Sequence, residues 1–312
     1  MQQNHVSHTK RDVIHTISQF LSGARLKSKI SKMGDSLSCI LFQAPPQLNA
    51  DSRETKSEIR DARSTGKEFI DSFGGDAQPV IWLFTRTMHR IPAVFTNANS
   101  EYTILFSHGN AEDLDRVAIW IRRLSRMLGV NTLAYDYPGY GRTADGNPKE
   151  SFCHGAAYAA YRYLTDVVGL ESNKIILYGR SLGGSVSTHL AQEVTKEGCP
   201  PAGMIIQSAP LSAFRVVLRV NGGCSLPLDR LDTGRAIVDI GCPTLVIHGD
   251  QDAVVPFWHG TEIHRLIPER FRLSPLWVKG AGHNDVEKIG FRTGVLRDRL
   301  RIFFQKDLRR AE

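Results

Sequence analysis

The sequence predicts an α/β fold: a mostly parallel central sheet with helices on both faces. Three observations carry this. Short apolar β-rich runs alternate with helical patterns from residue 102 to the C-terminus. The 312 residues are 41% hydrophobic and 23% charged, which excludes a disordered, collagen-like or coiled-coil chain. No apolar run approaches the roughly 18 residues of a membrane span.

The elements follow in order. Gln43–Asp76 is polar and turn-rich and reads as linker, with a short solvated helix near 54–63. Val80–Thr85 and Ile91–Thr96 suggest a leading antiparallel pair. Strands are then expected at Tyr102–Phe106, Asn131–Tyr135, Lys174–Tyr178, Met204–Gln207, Thr244–His248 and Leu276–Val278. Helices are expected at Asp113–Leu128, Phe152–Val168, Ser185–Thr195, Trp258–Leu266 and Thr293–Phe304. In the first of these, Leu114, Val117, Ile121, Leu124 and Leu128 recur at the spacing of one buried helical face. The expected division is a basic, partly disordered extension and linker over 1–74 and one domain over 75–310. A mostly parallel sheet binds ligands beyond the carboxyl ends of its strands, so the strand-to-helix turns are where chemistry is sought.

The sharpest such turn is Gly179-Arg180-Ser181-Leu182-Gly183, between Ile175-Ile176-Leu177-Tyr178 and an apolar helix. A turn that lifts a serine out of a sheet needs strained dihedrals and no side chains two positions away, and glycine meets both needs. A nucleophilic serine then requires an acid and a histidine later in the chain. Asp252, in His248-Gly249-Asp250-Gln251-Asp252, and His283, in Gly280-Ala281-Gly282-His283-Asn284-Asp285, each follow a strand. Asp252 is preferred to Asp250, which sits at the strand terminus where a turn-forming aspartate is the ordinary expectation. The oxyanion donors should be the backbone N–H of Leu182 and one from Ser107-His108-Gly109-Asn110-Ala111. Asn110 is the candidate there, with Ala111 as its alternative. His108 precedes the nucleophile and reads as a loop-packing histidine.

Competing motifs are weak. His259 and His264 lie five apart, which on a helix points them about 140° from each other, so a shared zinc is not expected. Gly139-Tyr140-Gly141 is a turn rather than a dinucleotide fingerprint, and no P-loop string occurs. Neither a metal nor a cofactor is expected. The formal net charge of +7 divides unevenly: residues 1–34 carry +5, residues 291–312 carry +4, and the body between them carries −2. A basic field for steering onto nucleic acid is therefore not supported. Five scattered cysteines without a CxxC pair suit a reducing compartment.

Taken together, Phe106-Ser107-His108-Gly109-Asn110-Ala111, Tyr135-Asp136-Tyr137-Pro138-Gly139-Tyr140-Gly141, the Gly179–Gly184 elbow, His248–Val254 and Pro275–Asp285 resemble the α/β-hydrolase domain-containing 17 family over roughly residues 80–305. The bud-emergence-type α/β hydrolases are close relatives in the same segments. The resemblance implies an α/β-hydrolase fold with Ser181 as nucleophile, Asp252 as orienter and His283 as base. It implies a serine hydrolase that removes palmitate from cysteine thioesters of membrane-associated proteins. The expected partner is an acylated protein or a small acyl ester, with peripheral contact to a membrane and no nucleic acid. The expected location is the cytoplasm or the cytosolic face of a membrane. A serine peptidase, a carboxylesterase and a catalytically idle hydrolase fold used for binding are the alternatives, and the complete set of three residues argues against the last.

Members of that family often begin with an acylated cysteine cluster, whereas here only Cys39 is at hand. Met33-Gly34-Asp35-Ser36-Leu37-Ser38-Cys39 reads as a myristoylation pattern followed by a cysteine. A chain starting at Met33 would be acylated on Gly34 and Cys39, a two-signal anchor. Otherwise Val13, Ile17, Phe20, Leu21 and Ala24 fall on one helical face before a run of lysines, as in a disordered tail, a membrane-surface helix or a targeting peptide. Pro210–Gly241 stands in place of a full lid domain, and either lines the acyl pocket or packs on the sheet edge.

Overall fold

The computed structural model describes residues 69–70, 78–143, 148–218 and 230–309. Among the described residues, nine strands form one sheet: β1 (Phe69–Ile70), β2 (Gln78–Phe84), β3 (Arg90–Thr96), β4 (Thr103–Ser107), β5 (Asn131–Tyr135), β6 (Ile175–Arg180), β7 (Gly203–Gln207), β8 (Thr244–Gly249) and β9 (Leu276–Val278). Their spatial order is β1-β2-β3-β5-β4-β6-β7-β8-β9. The first three and the β3–β5 pair are antiparallel, and every pair from β5 to β9 is parallel. This is the arrangement expected, with one correction. Strand β1 pairs with β2 from within the stretch read as linker, because two residues carry no readable alternation.

The central strands are buried along their length except for Arg180 at the end of β6, as a parallel sheet covered on both faces requires. Successive side chains then feed two different cores. Leu105, Leu177, Met204, Ile206 and Val246 point to one face, and Ile104, Phe106, Ile176, Tyr178, Ile205, Leu245 and Ile247 to the other. The first face is covered by α2 (Glu150–Arg162) and α3 (Leu182–Lys196). The second is covered by α1 (Leu114–Leu128) and by two helices at the C-terminal end. Helix α1 begins where the Asp113 carboxylate accepts the Arg116 N–H at 2.9 Å, and it buries Leu114, Val117, Ile121 and Leu124 as its spacing predicts.

The remaining helices are α4 (Ala213–Leu218), α5 (Thr233–Ala236), α6 (Trp258–Leu266), α7 (Val286–Thr293) and α8 (Val295–Ile302). The helix expected at Thr293–Phe304 is α8, continued by a π-helical turn over Phe303–Asp307; Gly294, at φ 83°, separates it from α7, which was not among the expected helices. Of the Pro210–Gly241 segment, Leu211, Ala213, Leu231, Ile237 and Ile240 belong to the core on the α2/α3 face. The expected helix near 54–63, and Gly34 and Cys39, lie outside the described residues. Among the described residues, no helix is long and apolar enough to cross a membrane.

Leu105 is buried at the centre of β4, so Leu105→Ala is expected to lower unfolding stability by about 2–5 kcal/mol. Urea denaturation checks this; a midpoint unchanged from the parent would show that the sheet centre is not the core.

Candidate active site

Strand β6 runs directly into α3, and the backbone must reverse between them at Ser181. That residue has φ 52° and ψ −117°, a conformation strained for any side-chain-bearing residue. The turn closes only because glycines flank it. A Cβ on Gly179 would stand 2.1 Å from the Gly183 carbonyl oxygen, and one on Gly183 would stand 2.0 Å from the Ser107 carbonyl oxygen. The Ser181 N–H donates to the Gln207 carbonyl at 2.8 Å, which ties the turn to β7. Leu182 is the first residue of α3, so its N–H has no acceptor within the helix.

The structure brings Ser181, His283 and Asp252 together. His283 Nε2 lies 3.0 Å from Ser181 Oγ, and His283 Nδ1 lies 2.7 Å from Asp252 Oδ2. Asp252 is buried, and its Oδ1 accepts the N–H groups of Val254 and Val255 at 2.9 and 2.8 Å. Burial works to raise its pKa. Hydrogen bonds from His248, His283 and the Val255 amide outweigh burial and hold the carboxyl well below the usual carboxylate range. A carboxylate beside Nδ1 assigns the imidazole proton to Nδ1 and leaves the Nε2 lone pair facing the serine hydroxyl. Asp250 instead accepts the Gly280 N–H at 2.7 Å and caps the turn between the two loops.

Asn110 lies in the loop that follows β4 and packs on the elbow; a Cβ on Gly109 would stand 3.5 Å from the Arg180 carbonyl oxygen. Three buried tyrosines, one at the end of β5 and two in the segment after it, fasten this loop. Tyr135 Oη pairs with Ser107 Oγ at 2.6 Å, Tyr137 donates to the His108 carbonyl at 2.9 Å, and Tyr140 donates to Asn110 Oδ1 at 2.8 Å. Burial pushes all three phenols up, so they remain neutral donors. His108 is fully buried, with Nδ1 2.9 Å from the Gly109 carbonyl and its ring against Tyr137. It packs the loop and does not reach Ser181 by any hydrogen bond among the described residues.

Two parts of the site take their roles only from the folded geometry. His248, at the end of β8, places Nε2 2.9 Å from the Val255 carbonyl and 3.3 Å from Asp252 Oδ2, so the carboxylate faces two imidazoles. Arg180 joins three loops. It pairs with Glu112 after the β4 loop and with Glu287 at 2.6 Å, four residues beyond His283. Glu112 also accepts the Gly109 N–H at 2.7 Å. The only hint was an arginine beside the nucleophile, since acids 68 and 107 residues away form no local pattern. The His259/His264 pair stays apart, as expected: His259 Nδ1 accepts the Leu211 N–H at 3.0 Å, while His264 Nε2 bonds the Leu273 carbonyl at 3.1 Å.

Comparisons with known proteins agree with this fold. Residues 87–200 match the family described as Chlamydia CHLPS protein (DUF818). The chain is 37% identical over 207 residues to α/β hydrolase domain-containing protein aho-3 of Caenorhabditis elegans, covering 65% of this chain and 59% of that one. It is 34% identical over 228 residues to human α/β hydrolase domain-containing protein 17B, covering 72% and 75%. The chain thus spans about three fifths of the length of the worm relative. Among solved structures, the Pyrococcus furiosus esterase Pf2001 superposes with a TM-score of 0.61 at 18% identity, over 85% of this chain and 97% of that one. At that identity the likeness speaks to the fold.

Two outcomes follow from the site. Arg180→Met leaves Glu112 and Glu287 without their shared cation. It is expected to cost about 3 kcal/mol of stability and to slow fluorophosphonate labelling of Ser181 by about 10- to 100-fold. Arg180→Lys should recover part of the loss; labelling at the parent rate in both would remove Arg180 from any positioning role. For His259, burial together with His248 and Arg215 pushes the pKa down to about 4. Between pH 6.5 and 4 the unfolded chain then binds a proton that the folded chain does not, so stability falls as pH is lowered through that window. Urea midpoints at pH 7 and 5 should show the drop, to which His154 and His189 add by the same burial effect, and His259→Gln should lessen it.

Proposed function

Because the chain belongs to the α/β-hydrolase domain-containing protein 17 family, we propose that it is a serine hydrolase that cleaves acyl thioesters or esters through an acyl-enzyme, with S-palmitoyl-cysteine proteins as substrate. The observation that supports this best is the unbroken run of contacts from Ser181 Oγ through His283 to Asp252. In this reading His283 Nε2 takes the hydroxyl proton as Ser181 Oγ attacks the acyl carbonyl carbon. The imidazolium that forms is stabilised by the Asp252 carboxylate, which the Val254 and Val255 amides hold in place.

The developing oxyanion is received by the Leu182 N–H, at the positive end of α3, and by the Asn110 N–H from the tyrosine-fastened loop. As the tetrahedral intermediate collapses, the bond to sulfur or oxygen breaks and the leaving group takes the proton from His283. Water, activated by the same imidazole, then attacks the acyl-serine, releases the carboxylic acid and restores the hydroxyl. A cysteine thiolate is a good leaving group, its conjugate acid having a pKa near 8.5, so thioesters ask little of the general acid. The choice of palmitoyl-cysteine among these acyl substrates rests on the family resemblance. In this reading the enzyme works at membrane surfaces, where such substrates reside.

A fluorophosphonate probe should label the parent and leave Ser181→Ala unlabelled. Hydrolysis of an S-palmitoyl-cysteine peptide should fall by at least about 10³-fold in Ser181→Ala and in His283→Ala. Absence of labelling in the parent would sink the enzyme reading. Labelling with turnover of short acyl esters but not of the palmitoyl peptide would overturn only the substrate.

A further inference from the structure

Outside the site, one polar cluster on the α2/α3 face has no use in the mechanism. Glu150 and His154 stand four residues apart on α2, so they share one face of the helix. His189 comes from α3, which packs against α2, and the two imidazoles lie ring over ring at 4.3 Å. The ligand atoms of all three residues fall within 4.8 Å of one another. Nε2 of His154 and Nε2 of His189 are both buried without a hydrogen-bond partner. A buried ring nitrogen normally finds a partner; His108, His248 and His259 also carry one without, and what sets His154 and His189 apart is the Glu150 carboxylate that stands with them at ligand distance.

We propose that Glu150, His154 and His189 form a binding site for one divalent cation of the zinc class. Two imidazoles and a carboxylate are a zinc-type ligand set, and a tetrahedral ion would draw their ligand atoms to about 3.4 Å apart, a short inward step from the present spacing. Burial keeps both imidazoles in the neutral, ligating form. Glu150 Oε1 accepts the Leu231 N–H at 2.6 Å, which leaves Oε2 for the metal. Half-exposed Arg230 lies 3.5 Å from Oε2 and would be displaced by the ion.

The site is separate from the reacting residues. His189 lies eight residues beyond Ser181 on the same helix, about 12 Å along its axis. An ion there would tie α2 to α3 and, through Glu150, to the chain at Leu231.

The test uses the full chain after chelator treatment, titrated with Co²⁺ and followed by its visible absorption and by equilibrium dialysis. The expected result is one Co²⁺ per chain, displaced by Zn²⁺. His154→Asn and His189→Gln should each weaken binding by about 100-fold or more. Glu150→Gln keeps an acceptor for the Leu231 N–H and should weaken it by about tenfold. Saturating Zn²⁺ should raise the parent's Tm by about 5 °C and leave the histidine variants unmoved. If a histidine variant does not fold, Glu150→Gln alone decides. Equal Co²⁺ affinity in parent and folded variants, or no binding by the parent, would overturn the proposal and leave the two rings as core packing.

Discussion

At Ser181 the backbone is held at φ 52° between a strand and a helix that would otherwise run smoothly into each other, and the rest of the site is arranged around that strain. A residue in such a conformation costs on the order of 1–3 kcal/mol and persists only where its surroundings leave it no alternative. Those surroundings are specific. Gly183 lies against the Ser107 and His108 carbonyls, Gly184 lies against Ala209, and the Ser181 N–H is taken by Gln207 on the next strand. The three central strands β4, β6 and β7 thus grip the turn from both sides. Their burial on both faces supplies the stability that the turn spends.

A second theme is the distance over which the loops are joined. The elbow, the loop after β4 and the loop bearing His283 arrive from strands far apart in sequence. Two polar systems gather them: the tyrosines at and after the end of β5, which bond three residues of the Ser107–Asn110 stretch, and Arg180, which reaches acids on the other two. Each partner is satisfied, as partly buried polar networks must be to specify one arrangement. Asp252 shows the same logic on a smaller scale, with two amides on one oxygen and two imidazoles facing the other.

What was legible in the sequence depended on range. Strands such as Asn131–Tyr135 and Leu276–Val278, and the helix Trp258–Leu266, fall at the expected residues because period and flanking turns are local signals. The elbow and the loops carrying Asp252 and His283 were readable because glycines and strand ends mark them. Strand β1 was not, being two residues long, nor was α7, an eight-residue helix with only Val286, Glu287 and Gly290 buried. The role of Arg180 was hidden because a salt bridge across 107 residues leaves no trace in either neighbourhood. His248 was in view as part of the loop motif, but only the folded geometry turns its ring onto Asp252.

The shortness of the outermost strands has a consequence for how the protein behaves in a crowded solution. An open sheet ends in rows of unpaired amides and carbonyls, which recruit other chains into edge-to-edge association. Here one border is β9, only three residues long, and the other is β1, only two, so neither offers a long template. Strand β2, at seven residues with Phe84 60% exposed, is the segment that would offer one. Phe69 and Ile70, which precede the boundary drawn from composition, pair with its first two residues, Pro79 and Gln78, so a chain trimmed at residue 75 would open those positions to edge pairing while keeping every residue of the site.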